Sequence, residues 1–346
     1  MKSVTTRFGT FGVQGLVERY GGGAVRAAMP CAGTVIATAH GVFTPRHASQ
    51  DERTKTGPSL EFFPDGGLRS IILESRTPVA TPAGEVLAEQ ILFHPDGSLR
   101  RVFPLCGRIS AYWTQEDEAG LLTPFAALTP QGRIKAKFLS LAFDGRGNLR
   151  SLTLYPGQAV DMATPAGTVP VRIGAAFYPD GAVRSVEPAR PTEIPTPAGR
   201  VLAFDPDATG ITGDVNSLRF DPRGRLVHVA TVRTKLTVKV GNGAGNGAGT
   251  GAGNEAGDVE GEGGTRDILP AFRESLCGTA DTEPVAMSVA FEPGRVVVRR
   301  SPREPAAIWA VAADASGYPV RAAILPPQGF LAAMPGTACQ GAPVSF

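Results

Sequence analysis

The sequence of 346 residues lacks the features of several classes of protein. Its four cysteines, at positions 31, 106, 277 and 339, are far apart, which excludes CxxC metal and redox motifs and a disulfide scaffold. No apolar run of the length that spans a bilayer is present, and the first residues lack the apolar stretch of a signal peptide. We therefore expect a cytoplasmic protein with free thiols and no insertion into a membrane.

Neither sign of charge is in excess, because 34 basic and 32 acidic residues leave a formal net charge of +2. Such a balance gives no reason to expect binding to nucleic acid. Catalytic signatures are missing as well: there is no phosphate-binding glycine loop in a strand-to-helix context, no GxSxG elbow, and no metal-ligand spacing among the four histidines. The sequence favours a non-catalytic protein without a cofactor, apart from the calcium hypothesis below.

Glycine (43 residues) and proline (30 residues) are abundant, and many of them recur in turns. One motif occurs five times, as FFPDGGLRS, FHPDGSLRR, FDGRGNLRS, FYPDGAVRS and FDPRGRLVH, beginning at Phe62, Phe93, Phe143, Phe177 and Phe220. Proline presets φ for a turn, and the shared glycine suits the left-handed conformation that closes a bulged hairpin. The motif, here called the F-turn, therefore predicts a β-hairpin in which Phe packs against the Leu or Val after the turn.

A second motif, here called the TP-turn, reads TPAGEV, TPQGRI, TPAGTV and TPAGRV from Thr81, Thr129, Thr164 and Thr196. F-turns and TP-turns alternate from 62 to 228, with a degraded F-turn copy over 20–26 and a shortened one, FEPGRV, from Phe291. This alternation predicts an all-β fold, an antiparallel meander of repeated β-hairpins that forms an extended or curved sheet. F-turns are expected along one edge of that sheet and TP-turns along the other.

FYPDGAVRS and FFPDGGLRS resemble the core of bacterial MORN-like repeats of the YwqK type, and FDPRGRLVH and FDGRGNLRS resemble the YD repeats of Rhs-type proteins. The resemblance covers about 150 residues of short turn motifs, and the TP-turn belongs to neither pattern. It implies a sheet assembled from hairpins that serves as a scaffold or interaction surface, and it implies no catalytic residue.

The glycine-rich tract 241–264 separates two parts of the chain. It predicts either a flexible linker between domains or a long loop between strands. We expect residues 1–240 to form the β-hairpin repeat domain and residues 265–346 to form a small, mostly-β C-terminal cap.

The segment 102–128 is an insertion into the repeat and is the first candidate site. It holds Tyr112 and Trp113, followed by Glu116, and aromatic rings beside carboxylates are typical of carbohydrate sites. The structural alternative places both aromatic rings in the core and begins a short helix after Thr114, with Thr114 as the N-cap.

The loop 202–219 is the second candidate, because Asp205, Asp207, Thr209 and Asp214 have the order of a calcium-binding loop. Position 12 of that loop would be Asn216 instead of the glutamate that usually binds calcium. The alternative is an Asp/Gly-rich loop whose carboxylates cap backbone amides.

The third candidate is the arginine that follows four of the five F-turns, at Arg69, Arg100, Arg150 and Arg184. In register, these side chains would line one edge and meet an anionic partner; alternatively they form a solvated surface paired with turn aspartates. The leading functional hypothesis is a non-catalytic interaction scaffold with a protein partner. The alternative is a carbohydrate-binding or carbohydrate-acting protein that uses the 102–128 insertion.

Overall fold

The structure is a computed structural model that describes residues 2–48, 57–106, 114–210, 212–239, 258–261, 265–274, 282–301, 305–310 and 320–325. Within these residues the chain is nearly all β, with 29 strands and one short helix. The prediction of an all-β fold of antiparallel hairpins is therefore confirmed. None of the described helical residues forms a segment long and apolar enough to cross a bilayer.

The chain divides into two compact units. Unit 1 comprises Met1–Met162, Val171–Val186 and Thr209–Asn216, and unit 2 comprises Ala163–Pro170, Glu187–Ala208 and Ser217–Phe346.

The strands up to the insertion are β1 (Lys2–Thr6), β2 (Gly9–Arg19), β3 (Val25–Pro30), β4 (Ile36–Thr38), β5 (Gly41–Phe43), β6 (Leu60–Phe62), β7 (Leu68–Thr81), β8 (Gly84–Phe93) and β9 (Leu99–Phe103). The helix α1 (Gln115–Leu121) follows, and then β10 (Phe125–Thr129), β11 (Gly132–Ala136), β12 (Phe138–Phe143), β13 (Leu149–Leu154), β14 (Val160–Thr164), β15 (Gly167–Phe177) and β16 (Val183–Pro188). The remaining strands are β17 (Thr192–Thr196), β18 (Gly199–Ala203), β19 (Leu218–Phe220), β20 (Leu226–Thr231), β21 (Thr234–Lys239), β22 (Asp258–Gly261), β23 (Thr265–Ile268), β24 (Phe272–Glu274), β25 (Thr282–Pro284), β26 (Met287–Glu292), β27 (Arg295–Arg299), β28 (Ala307–Ala310) and β29 (Val320–Ile324).

Unit 1 is an antiparallel ladder in the order β1, β2, β3, β6, β7, β8, β9, β12, β13 and β15. One register row crosses it and is fully buried: Leu60, Ile71, Ile91, Val102, Leu141, Leu152 and Ala175. The phenylalanines of the first four F-turns, Phe62, Phe93, Phe143 and Phe177, lie on the same face, since each stands two residues after a member of that row. Burial of this face supplies the core that the Phe and Leu pattern predicts.

The F-turns have the predicted conformation. Their glycines, including Gly66 and Gly224, have φ between +76° and +88°, the left-handed region that favours glycine. A turn aspartate completes each one: the Asp65 carboxylate accepts a hydrogen bond from the Gly67 amide at 3.0 Å, and Asp96 accepts one from the Ser98 amide at 2.9 Å.

The threonine of the TP-turn forms two hydrogen bonds that close the turn. The Thr81 hydroxyl donates to the Gly84 carbonyl at 2.6 Å and accepts from the Ala83 amide at 3.2 Å. The same two bonds occur at two turns without proline, Thr6–Gly9 and Thr38–Gly41. The proline-based motif therefore missed these turns, and the wider signal is Thr-x-x-Gly.

The two turn types do not lie along opposite edges, so that prediction is wrong. The Pro82 ring of a TP-turn lies 3.6 Å from where a β-carbon on Gly147, an F-turn glycine, would stand. At Gly181 the corresponding distance, to Pro130, is 2.9 Å. The register of β7 and β8 breaks between Ile72 and Thr77, so this long hairpin is interrupted in the middle instead of continuing as a flat ribbon.

Unit 1 also holds two separate hairpins, β4–β5 and β10–β11, and unit 2 holds further antiparallel pairs. β20 pairs with β19 and β26, β26 with β27, and β27 with β28. β21 pairs with β29 and β23, and β23 pairs with β22. Residues 241–257 and 262–264 of the glycine-rich tract lie outside the described residues. The strands that precede and follow the tract, β21 and β23, are hydrogen-bonded to each other.

Candidate functional site

The arginine that follows three of the F-turns occupies a β-bulge. In the β6–β7 hairpin Phe62 faces Leu68 and Glu61 faces Ser70, which leaves Arg69 as the extra residue. The same register shift leaves Arg100 and Arg150 as extra residues in their hairpins. A bulge residue has no cross-strand partner in the ladder. The motif predicted a bulged hairpin, and the structure identifies the arginine as the residue that forms the bulge.

A fifth arginine, Arg26, occupies the corresponding bulge of the degraded N-terminal copy, where Arg19 faces Val25 and Glu18 faces Ala27. Arg26, Arg69, Arg100 and Arg150 lie on alternate strands of the unit 1 ladder, and Arg184 has the same motif position in β16. We call Arg26, Arg69, Arg100, Arg150 and Arg184 the arginine row. Sequence reasoning noted the copy that contains Arg26 but did not include this residue among the binding candidates.

The members of the row differ in their acidic neighbours. Arg26 lies 3.8 Å from Glu18, and Arg69 lies 3.9 Å from Glu61, each carboxylate standing just before the turn on the adjacent strand. The matching positions beside Arg100 and Arg150 are Leu92 and Ala142.

Arg100 and Arg150 are both exposed, and neither forms an ion pair within the residues that the structure describes. The pKa of Arg100 is lowered, first by partial burial and then by the positive charges of Arg69, Arg101 and Arg150. Positive charge is therefore concentrated around Arg100, although the carboxylate of Glu61 acts in the opposite direction.

Asp214 of the 202–219 loop is held on the same face. Its carboxylate lies 2.6 Å from the Arg101 guanidinium and accepts a short hydrogen bond from the Ser151 hydroxyl, and its carbonyl accepts from Arg184 at 2.6 Å. Burial opposes ionisation of Asp214, but the bonds from Ser151 and Arg101 and the charges of Arg101 and Arg150 outweigh it and lower the pKa of this carboxyl. Arg184 is half-buried as a result, so Arg100 and Arg150 are the more accessible charges.

Two glycines let the loop approach the sheet. The Gly213 amide donates to the Thr153 hydroxyl at 2.8 Å, and a β-carbon on Gly213 would stand 2.0 Å from the Leu152 carbonyl oxygen. A β-carbon on Gly174 would stand 2.2 Å from the same oxygen and 2.7 Å from the Gly213 α-carbon. Backbone therefore packs directly on backbone here, which only glycine permits.

The calcium candidates are divided between the two units. Asp214 belongs to unit 1, whereas Asp205 and Asp207 belong to unit 2, where both Asp207 oxygens accept hydrogen bonds from Arg273, at 2.9 and 2.5 Å. Asp205 accepts from the Asp207 amide at 3.0 Å, which is the capping role of the alternative. Thr209 is assigned to unit 1, with Asp214. Among the described residues no group of three or more His, Cys, Asp or Glu side chains is placed to hold a metal ion. Calcium binding stays a prediction.

The 102–128 insertion contains the predicted short helix. Thr114 caps α1, its hydroxyl accepts from the Asp117 amide at 3.1 Å, and the Asp117 carboxylate accepts from the Thr114 amide at 3.0 Å. Glu116 is exposed, whereas Glu118 is buried. Tyr112 and Trp113 lie outside the described residues, so the carbohydrate hypothesis also stays a prediction.

His228 in unit 2 is held in one tautomer. Its Nδ1 lies 2.8 Å from the Ser217 carbonyl oxygen and its Nε2 lies 2.9 Å from the Ser288 hydroxyl. A carbonyl oxygen only accepts, so Nδ1 donates and Nε2 accepts the Ser288 proton. Burial lowers the pKa of His228 to about 4, which keeps the ring neutral at physiological pH.

No protein-family model, no curated protein and no solved structure matches this chain. The resemblance to MORN-like and YD repeats therefore stays a prediction.

Proposed function

We propose that this chain is a non-catalytic interaction scaffold in which the arginine row of unit 1 binds an acidic region of a protein partner. The observation that carries the proposal is the pair Arg100 and Arg150, two exposed arginines at β-bulges whose neighbouring strands offer Leu92 and Ala142 in place of a carboxylate. Like charges that repel one another in the free protein gain most from an anionic partner, since complementary charge steers association and fixes the binding register.

Other features support a binding role for this face. Bulges re-aim side chains and are often found next to functional sites. The docked loop with Asp214 holds Arg184 of the row and the neighbouring Arg101 in place, so this part of the surface is preorganised.

The test is affinity capture from the native host with charge-reversed protein. The variant Arg69→Glu/Arg100→Glu/Arg150→Glu should lose the partner that the unaltered protein captures, as identified by mass spectrometry. A matched control, Arg133→Glu/Lys135→Glu/Arg146→Glu, reverses three exposed basic residues of unit 1 outside the row and should retain it. Circular dichroism confirms that both variants are folded.

A partner captured equally by both triple variants would refute the proposal. Loss of capture only after substitution of Tyr112, Trp113 and Glu116 would instead favour the carbohydrate alternative.

A further inference from the structure

We propose that the arginine row recognises an acidic protein segment in the polyproline II conformation, with a carboxylate at every third residue. This inference rests on the proposed function and specifies the chemistry and spacing of the partner. It comes from the order of the strands and the register of the bulges.

The arginines are evenly spaced by the ladder. Arg69 lies on β7, Arg100 on β9 and Arg150 on β13, and in each interval a single strand intervenes, β8 in the first and β12 in the second. Neighbouring strands lie 4.7–4.9 Å apart, so successive members of the row stand about 9.5 Å apart along the sheet.

The register places the row on one line. The residues that directly follow the three arginines, Ser70, Arg101 and Ser151, belong to a single row that runs through Leu92 and Ala142. A ligand that meets all the arginines therefore crosses the strands instead of adding to an edge.

Only some backbone conformations repeat at that interval on one side. A polyproline II helix has three residues per turn and rises about 3.1 Å per residue, which returns the same face every 9.3 Å or so. A β-strand returns the same face every two residues, about 6.7 Å, and an α-helix after seven residues, about 10.5 Å. The polyproline II repeat of 9.3 Å or so matches the spacing of about 9.5 Å between the arginines. The repeats of the β-strand and the α-helix differ from it by about 3 Å and 1 Å at each step.

The ligand must also be anionic, and the arginines of the row differ in whether a carboxylate of the protein already lies beside them. Arg100 and Arg150 are exposed without a carboxylate at the matching cross-strand position, while Arg26 and Arg69 already have Glu18 and Glu61 within 4 Å. We infer that Arg100 and Arg150 are the two essential contacts.

The experiment measures the fluorescence anisotropy of labelled peptides with the full-length protein at physiological salt. One peptide consists of five Glu-Pro-Pro repeats, and the second contains the same residues with the five glutamates placed together. The repeat peptide should bind about five- to ten-fold more tightly, because each exposed ion pair adds only a modest factor. The double variant Arg100→Gln/Arg150→Gln should abolish that preference, and the control Arg133→Gln/Lys135→Gln should retain it.

Equal or tighter binding of the block peptide would overturn the inference, as would a preference that survives the double variant. A thymidine oligonucleotide of equal charge that binds more tightly than the repeat peptide would assign the row to nucleic acid and also overturn it. If no peptide binds while partner capture still requires the arginines, this inference fails and the proposed function stands; if capture does not require them, the proposed function itself fails.

Discussion

Gly213→Ala should release the loop that carries Asp214 from the sheet. The added β-carbon would lie 2.0 Å from the Leu152 carbonyl oxygen and 3.1 Å from the Gly174 α-carbon, and both neighbours are backbone atoms that cannot swing aside. The loop must therefore move, and three interactions weaken together: the Gly213–Thr153 hydrogen bond, the Arg101–Asp214 pair and the Ser151–Asp214 hydrogen bond.

The size of the effect follows from these interactions. A neutral hydrogen bond contributes about 1 kcal/mol and one to a charged group about 1.5–3 kcal/mol. The released loop regains conformational entropy and the freed charges regain water, since Arg101 and Asp214 are 14% and 22% exposed even when paired. We expect a net loss of about 2–4 kcal/mol in the free energy of unfolding of unit 1.

Urea denaturation and hydrogen exchange check this prediction. Amides of residues 212–216 should lose protection in Gly213→Ala at urea concentrations where the unaltered protein retains it. The control is Gly120→Ala, because a β-carbon at Gly120 of α1 meets nothing within 4 Å and alanine favours a helix by about 1 kcal/mol. Unchanged protection and an unchanged midpoint in Gly213→Ala would refute the reasoning that this backbone contact requires glycine.

Three further predictions concern other parts of the structure. Because the folded-state pKa of Asp214 lies below the usual 3.8, its interactions stabilise the protein above that pH and are lost as the pH falls through the folded pKa; in acid titrations followed by circular dichroism, Asp214→Asn should be less stable at pH 7 and less sensitive to acid. His228 becomes charged instead of neutral when it takes up a proton, and its pKa falls from 6.5 in the unfolded state to about 4 in the folded protein. The unfolded state therefore binds the proton first as the pH falls, and the free energy of unfolding should decline by about 3 kcal/mol between pH 7 and 4. Urea titrations of His228→Gln should show a smaller decline. Gly181 and Gly97 share the left-handed conformation, but only Gly181 has Pro130 within 3 Å of its would-be β-carbon, so Gly181→Ala should lower the thermal midpoint more than Gly97→Ala; equal losses would argue against packing between the two turns.

Much of the fold was predictable because each F-turn contains, within a few residues, the side chains that determine its hairpin. The order Phe, Pro, Asp, Gly, Leu sets φ, supplies a capping carboxylate and pairs apolar side chains, so the hairpin at Phe62 is encoded within nine residues. The packing of TP-turns on F-turns was not predictable in this way. This packing brings Pro82 close to Gly147 and Pro130 close to Gly181, residues about fifty or more positions apart in the sequence. The residues of either turn alone do not indicate which other turn it contacts.

The candidate site was likewise predictable only in part. The four arginines were found from the repeat, because their spacing from the glycine is constant. The role of Asp214 was missed, since an Asp/Gly-rich loop has the same composition whether it binds an ion or docks on a sheet. What distinguishes the two is the pair Gly174 and Gly213, and their shared contact with the Leu152 carbonyl exists only in three dimensions.

A β-bulge also separates strand pairing from the choice of an exposed side chain, two requirements that usually fall on the same residue. Its side chain takes no part in the ladder, so it can be exchanged while the hairpin keeps its pairing. The β19–β20 hairpin illustrates this, because Val227 stands there in place of arginine and the register shift between Arg219 and Phe220 is the same. The chain thus offers one replaceable position at each of these bulges, occupied by Arg26, Arg69, Arg100, Arg150 and Val227. A library randomised at these positions alone would sample new specificities at little risk to folding.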